Sequence, residues 1–348
     1  MEGGECSSRC SEDDNPIRTV SRVYADVLET KPLEYWYYPD RAIEYQDGSH
    51  LSVVRYLNFG SFGEMSQAMM DNSEEMYVVK IINTQCPLKI AREITVLRAL
   101  DGKNNVIKFL SPVQMTPSCK ALLFEYVTSV DLSSICLEMT AYEIKYYMFE
   151  LLKALDYCHS MGIMHRDIKP SNIIIDRCSK RLCLIIGELA QFYCPMRKNS
   201  IGTSSLCYRS PELVLGYPYY DYAVDMWAAG CLLAAMVFHK QPFFTELNLA
   251  IESFAITSVL GSKELLNYAK KYRIPVSPIM REIIGDNERQ PWGNFVTAEN
   301  AHLVTDDVLS LIELLLEYDH TERITAKEAM NHSYFMNLEP PTKKIKLD

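Results

Sequence analysis

The sequence predicts an α+β fold in two parts, a strand-rich N-terminal part followed by a helix-rich C-terminal part. Three observations carry this. Between Leu51 and Val127, short runs rich in β-branched residues alternate with turn residues. From Ala141 onward, apolar residues recur at helical spacing. A chain of 348 residues, 48% hydrophobic and 23% charged, is long enough and ordinary enough to fill two packed lobes.

The elements follow in order. Residues 1–18 are rich in Gly, Ser and charge, and predict a disordered tail. Residues 19–50 carry Tyr24, Tyr35, Trp36, Tyr37, Tyr38 and Tyr45 without a clean period, which predicts an irregular segment docked on a folded body. Leu51–Leu57 reads as a strand, residues 58–63 as a turn and Glu64–Met69 as the returning strand. Tyr77–Ile82 is a third strand. Ile90, Ile94, Leu97 and Leu100 mark one face of a helix. Val106–Phe109 and Ala121–Val127 are expected to complete a small sheet. Helices follow at Ala141–Met161, Asp221–Phe238, Leu247–Leu260 and Thr305–Tyr318, and no internal repeat is visible. Residues 338–348 form a polar tail with two prolines.

Bulk properties exclude some functions. A net charge of −10 argues against general nucleic-acid binding, which needs a basic face. The 11 cysteines form no C-x-x-C pair and are odd in number, as expected of reduced thiols in an intracellular protein. The first fifteen residues are polar and acidic, unlike a signal peptide. The apolar run Met226–Phe238 is shorter than the roughly 20 residues that span a bilayer. Neither a nucleic-acid nor a membrane partner is expected.

The chemistry lies in a few motifs. Asn58-x-Gly60-x-x-Gly63 sits between two predicted strands, where glycines let backbone N–H groups approach phosphates. An ordinary hairpin turn would read the same, and Asn58 stands where the first glycine of G-x-G-x-x-G belongs. Lys80 closes an apolar strand, and Glu93 follows on the predicted helix. Such a pair would hold the ammonium over nucleotide phosphates. The run His165-Arg166-Asp167-Ile168-Lys169-Pro170-Ser171-Asn172 fits the protein kinase catalytic loop H-R-D-x-K-x-x-N. In that loop Asp167 would accept the proton of the attacking hydroxyl, Lys169 would neutralise the γ-phosphate, and Asn172 would hold a magnesium ion. Downstream, Ser210-Pro211-Glu212 matches the end of an activation segment. Asp225-x-Trp227-x-x-Gly230 sits on a buried helix, and Glu212 is expected to pair with Arg323.

The chain resembles a eukaryotic protein kinase, and specifically the catalytic alpha subunit of casein kinase II. Residues 151–172, 220–227, 240–244, 314–330 and 21–38 carry the likeness, which runs from about residue 19 to 337. It implies a bilobal kinase fold: a segment at 19–50 packed on the kinase body, an N-lobe over 51–126, a C-lobe over 127–337 and a basic tail from 338. It implies serine/threonine phosphotransfer from ATP, with GTP as a second donor. It places the nucleotide against Gly60, Gly63, Met65, Val78, Lys80, Glu93, Phe124, Glu125, Ile174 and Ile185.

Three departures matter. The metal-binding triplet, Asp-Trp-Gly in that family, reads Ile186-Gly187-Glu188 here, and isoleucine offers no oxygen to magnesium. The flanks align without a gap, so Glu188 could reach the metal only if the strand end bulged by two residues. Magnesium binding is therefore doubtful. The lysine-rich cluster that selects acidic substrates corresponds to Gln85, Cys86, Pro87, Leu88 and Lys89. Two substrate-binding arginines correspond to Gly202 and Leu206, leaving Arg209. Finally, the face that docks the beta regulatory subunit keeps Leu51, Val53, Val79, Ile81, Val113 and Leu123 apolar, but Ser66 replaces a bulky aromatic anchor.

Two readings result: a weak or atypical kinase acting on protein substrates, or a pseudokinase that binds the beta subunit or shared partners. The tail Lys343-Lys344-Ile345-Lys346 fits a nuclear import pattern and predicts a nuclear and cytoplasmic protein. Ser11, ahead of Glu12, Asp13 and Asp14, resembles an acidic phosphorylation site.

Overall fold

A computed structural model describes residues 15–60, 63–71, 73–84, 86–128, 130–201, 206–245 and 249–338. Ser11, Gln85, Gly202 and the import-like tail lie outside the described residues.

The N-terminal lobe is a sheet of strands β1 (Gln46–Asp47), β2 (Leu51–Gly60), β3 (Gly63–Met70), β4 (Met76–Ile81), β5 (Phe109–Thr116) and β6 (Cys119–Glu125). Their order across the sheet is β1-β5-β6-β4-β3-β2, antiparallel throughout except for β1 beside β5. The expected turn at 58–63 is tighter than predicted, since β2 runs to Gly60 and pairs it with Gly63. The expected strand at 106–109 is displaced. Val106 makes an isolated bridge to Leu184, and β5 begins only at Phe109. Pro112 hides β5 in the sequence, because proline cannot donate to a ladder. It is tolerated just before the two residues that the short β1 covers, Val113 and Gln114.

Ahead of the sheet lies α1 (Leu33–Trp36), so the segment 19–50 is not wholly irregular. Between β4 and β5 lies α2 (Pro87–Leu100), with Pro at its first turn and Asp101 in the left-handed region after its last. The second lobe begins with β7 (Val130–Asp131) and α3 (Ala141–Ser160), which opens on a Thr140–Glu143 capping box. Strands β8 (Ile163–Met164), β9 (Ile173–Asp176), β10 (Arg181–Leu184) and β11 (Gln191–Phe192) bracket the catalytic-loop motif. Helices α4 (Pro211–Val214), α5 (Ala223–Val237), α6 (Leu249–Leu260), α7 (Ser262–Lys271), α8 (Pro278–Ile284), α9 (Asp306–Leu315) and α10 (Ala326–Met330) complete it.

Every residue of α5 is buried, which explains why its sequence is apolar apart from Asp225 and Gly230. A Cβ on Gly230 would meet Leu315 Cβ at 2.8 Å, so glycine is what lets α5 lie against α9. No helix among the described residues is long and apolar enough to cross a membrane.

The segment before the sheet is tied to the second lobe by side chains. Thr19 Oγ1 bonds Tyr217 and His320 at 2.8 and 2.9 Å. Tyr24 donates to Asp156 and Tyr35 to the carbonyl of Met161, each at 2.9 Å.

The outer face of the sheet closes over its own apolar residues. Leu51, Val79, Val113 and Leu123, expected on a docking face, are buried, and Ile81 is half-buried. Val53 stays 43% exposed. Ser66 is also buried, and its hydroxyl has no partner among the described residues. Most of the expected docking face is thus interior.

Candidate active site

Asp225, on buried α5, organises the catalytic loop. Its two oxygens accept the backbone N–H groups of His165 and Arg166 at 2.8 and 2.7 Å. Arg166 sits at φ +65°, a costly backbone for an arginine, and these bonds hold it there. His159 Nε2 bonds the same carboxylate at 3.0 Å. Burial alone would raise the Asp225 pKa, but His159 and the loop N–H groups outweigh it and hold the carboxyl below its ordinary value. Sequence reasoning passes over His159, because a lone histidine on an apolar helix carries no motif.

His165 bridges the loop to the strand end opposite. Its Nδ1 accepts from Asp167 N at 3.2 Å, so its Nε2 is the donor to Ile185 O at 2.9 Å. Burial keeps this imidazole below its usual pKa and hence neutral, as that bonding requires.

The expected catalytic residues converge. Asp167 is 4% exposed; Lys169 Nζ lies 2.9 Å from its carboxylate. Asn172 Nδ2 donates to Asp167 Oδ2 at 2.8 Å and to its carbonyl at 2.7 Å. On the sheet, Lys80 Nζ meets Glu93 Oε1 of α2 at 2.6 Å. Burial raises the Glu93 pKa more than the Lys80 charge lowers it. Residues alternate faces along a strand, so Val78 and Lys80 share the inner face while Val79 packs outward. Met65 stands across from Lys80, and Val78 across from Phe124. Met65, Val78, Ile174 and Ile185 are half-buried apolar residues, as a cleft for a flat base requires. Phe124 is buried against Phe109. The Glu125 carboxylate is taken by Arg181 at 2.7 Å and by Lys108 N–H at 3.1 Å.

The family model for the protein kinase domain matches residues 51–335. The chain belongs to that family. Kinase domains use ATP, typically with Mg2+, and the matched residues include the Lys80–Glu93 pair and the loop 165–172. The buried ion pair of this kinase domain, Arg323 to Glu212 at 2.8 Å, is present as expected, with both side chains 0% exposed.

The expected metal triplet, residues 186–188, does not fit a magnesium ion. Ile186 is 1% exposed and packs in the main core. Glu188, the weak candidate substitute, sits against α2. Its carboxylate lies 3.9 Å from Lys89 of α2, and its carbonyl accepts from Arg92 at 2.6 Å. Among the described residues, no group of three or more His, Cys, Asp or Glu side chains could hold a metal ion. Arg209, expected as a remaining cation for acidic substrates, is 5% exposed and thus largely withdrawn from solvent.

Proposed function

We propose that this kinase domain is a homologue of casein kinase II alpha that binds ATP between the sheet and the loop 165–172, with phosphotransfer weak or lost. One observation carries the reading: Ile186, apolar and 1% exposed, stands where the family places its main metal ligand. Losing the chief ligand of an ion worth several kcal/mol lowers the rate about a thousandfold or more. The cleft supports nucleotide binding, since the Lys80–Glu93 pair and the half-buried apolar residues do not depend on Ile186.

A pseudokinase acting through partners is the second reading. The joint loss of metal ligand and substrate-binding cations favours it. The beta regulatory subunit is the proposed partner. Exposed Val53, Val54, Tyr56 and Leu57 on edge strand β2 support it, and the burial of the neighbouring apolar residues counts against it. Nuclear and cytoplasmic distribution is proposed on the C-terminal Lys343-Lys344-Ile345-Lys346.

The test is transfer from labelled ATP to an acidic serine peptide, with magnesium or manganese. Asp167→Asn is the inactive control and Ile186→Asp the repair. Transfer at the control level, restored by Ile186→Asp, is the expected result. Wild-type transfer well above the control overturns the reading.

A further inference from the structure

Between the first turn of α2, the stretch 39–45 and the β5–β6 turn lies a cavity of about 460 Å³. Pockets that hold small molecules run from about 300 to 1,000 Å³. This one shares no lining residue with the set expected against the nucleotide. From the same helix, Glu93 turns instead to Lys80. The cavity is therefore separate from the candidate active site.

Its walls are mostly apolar. Ile43 comes from the stretch ahead of β1, Ile82 follows β4, and Leu88 and Ile90 stand on α2. Ala42 and Ala91 are too short to fill the space between them. Leu88 is 50% exposed, which leaves a large aliphatic side chain in water at this site. A bound apolar group would cover it.

The polar part of the lining has one sign. Arg41 and Lys120 line the cavity, and no Asp or Glu does. The Arg41 guanidinium is steadied by a bond from one nitrogen to the carbonyl of Glu34. Lys120 Nζ rests 4.5 Å from the centre of the Tyr45 ring, a cation–π contact that places the ammonium without neutralising it. Neither cation has a carboxylate partner among the described residues. The first turn of α2 holds no acidic residue either, so nothing there offsets the partial positive charge of the helix start. In a chain of net charge −10, an apolar cavity with two cations and no acid is a local inversion.

We propose that this cavity binds a small amphiphilic carboxylic acid. Its apolar body lies against Ile82, Leu88 and Ile90, and its carboxylate is held by Arg41 and Lys120. An arginine can take both oxygens of a carboxylate at once, which favours this head group over a neutral one. The proposal does not depend on whether the chain transfers phosphate.

The full chain is titrated calorimetrically with decanoate, and with decanol as its uncharged counterpart. One saturable site for decanoate is expected, and no saturable binding overturns the proposal. The double variant Arg41→Gln/Lys120→Gln should weaken decanoate about tenfold, the effect of losing one charge-assisted bond, and change decanol less than twofold. Unchanged decanoate binding, or an equal loss for decanol, overturns the seat of the carboxylate. Leu88→Glu, a change at an exposed position, should abolish binding of both probes; binding that survives it overturns the site. Lys263→Gln, on α7, should change nothing, and a matching loss there would reduce the effect to general charge attraction and overturn the proposal. Saturating ATP should leave decanoate affinity unchanged. Displacement by ATP would put decanoate in the nucleotide cleft, which overturns this site and leaves the reading of the cleft standing.

Discussion

The catalytic loop and the strand end facing it meet at Ile185, whose carbonyl accepts from His165 and whose N–H donates to Asn172 O, yet they are built differently. On the loop side, Asp167, Lys169 and Asn172 form a closed polar set, anchored from below by Asp225. On the strand side, Ile186 is one more apolar residue of the core. The loop side carries the groups that the proposed chemistry would use, and the strand side presents an isoleucine where that proposal looks for a metal ligand. Their difference bears on how retained catalytic residues are read. Asp167 is 4% exposed, and a carboxylate so buried needs partners. Lys169 and Asn172 supply them, so folding alone gives a reason to keep all three.

Four experiments break or sharpen this contrast. The largest effect is expected from Arg323→Ala, which belongs to neither side. It strands the Glu212 charge at 0% exposure, and a loss of about 3–5 kcal/mol in urea unfolding is expected. A loss below 1 kcal/mol would mean that the second lobe does not rest on this pair, and that the loop's anchoring needs another explanation. Ile186→Asp comes next. A gain of about a thousandfold in magnesium-dependent transfer, worth ~4 kcal/mol, would place the whole deficit on the strand side. An unchanged rate would move it elsewhere. Asn172→Ala removes both bonds to Asp167 and should cost about 1–2 kcal/mol of stability, measured by the same unfolding. If stability holds, the loop residues are not kept by folding, and the contrast fails.

The smallest effect concerns pH. Burial holds His165 and His320 below their ordinary value of 6.5. Below that value the unfolded chain binds protons that the folded chain refuses. Stability is therefore lost as pH falls, until the folded-state pKa values are passed. Glu93 and Asp221, raised by burial, act in the opposite sense. A Tm lower at about pH 5.5 than at about pH 7.5 is expected, with a smaller difference in His320→Gln. An equal difference in that variant would remove His320 from the account.

Much of this was legible in the sequence, for stated reasons. The loop His165 to Asn172 and the Lys80–Glu93 pair declare themselves because phosphoryl transfer fixes residue types at short spacings. The strands β2, β3 and β4 and the helices α2 and α3 follow from periodicity. Three things did not follow. β5 contains Pro112, which reads as a breaker until its place beside a two-residue partner strand is known. The burial of Leu51, Val79, Val113 and Leu123 was invisible, because alternation shows that one face is apolar but not whether the lobe covers it. Glu188 could be aligned near the metal position, but only the fold shows that Lys89 and Arg92 draw this turn toward α2.

The strap of residues ahead of the sheet has a consequence in time. Thr19 meets His320 across 301 residues of chain, and Arg22 meets Glu328 across 306. Closing so long a loop costs little stability, since the entropy grows only with the logarithm of length, but such distant contacts form late. At ribosomal speed, Thr19 and Arg22 are made roughly 15–60 s before His320 and Glu328 exist. During synthesis Tyr24 and Tyr35 meet Asp156 and Met161 first, while Thr19 and Arg22 still lack His320 and Glu328. The last of these contacts joins the chain's beginning to its end, and a ribosome stalled before residue 320 leaves the strap docked without the bonds to His320 and Glu328.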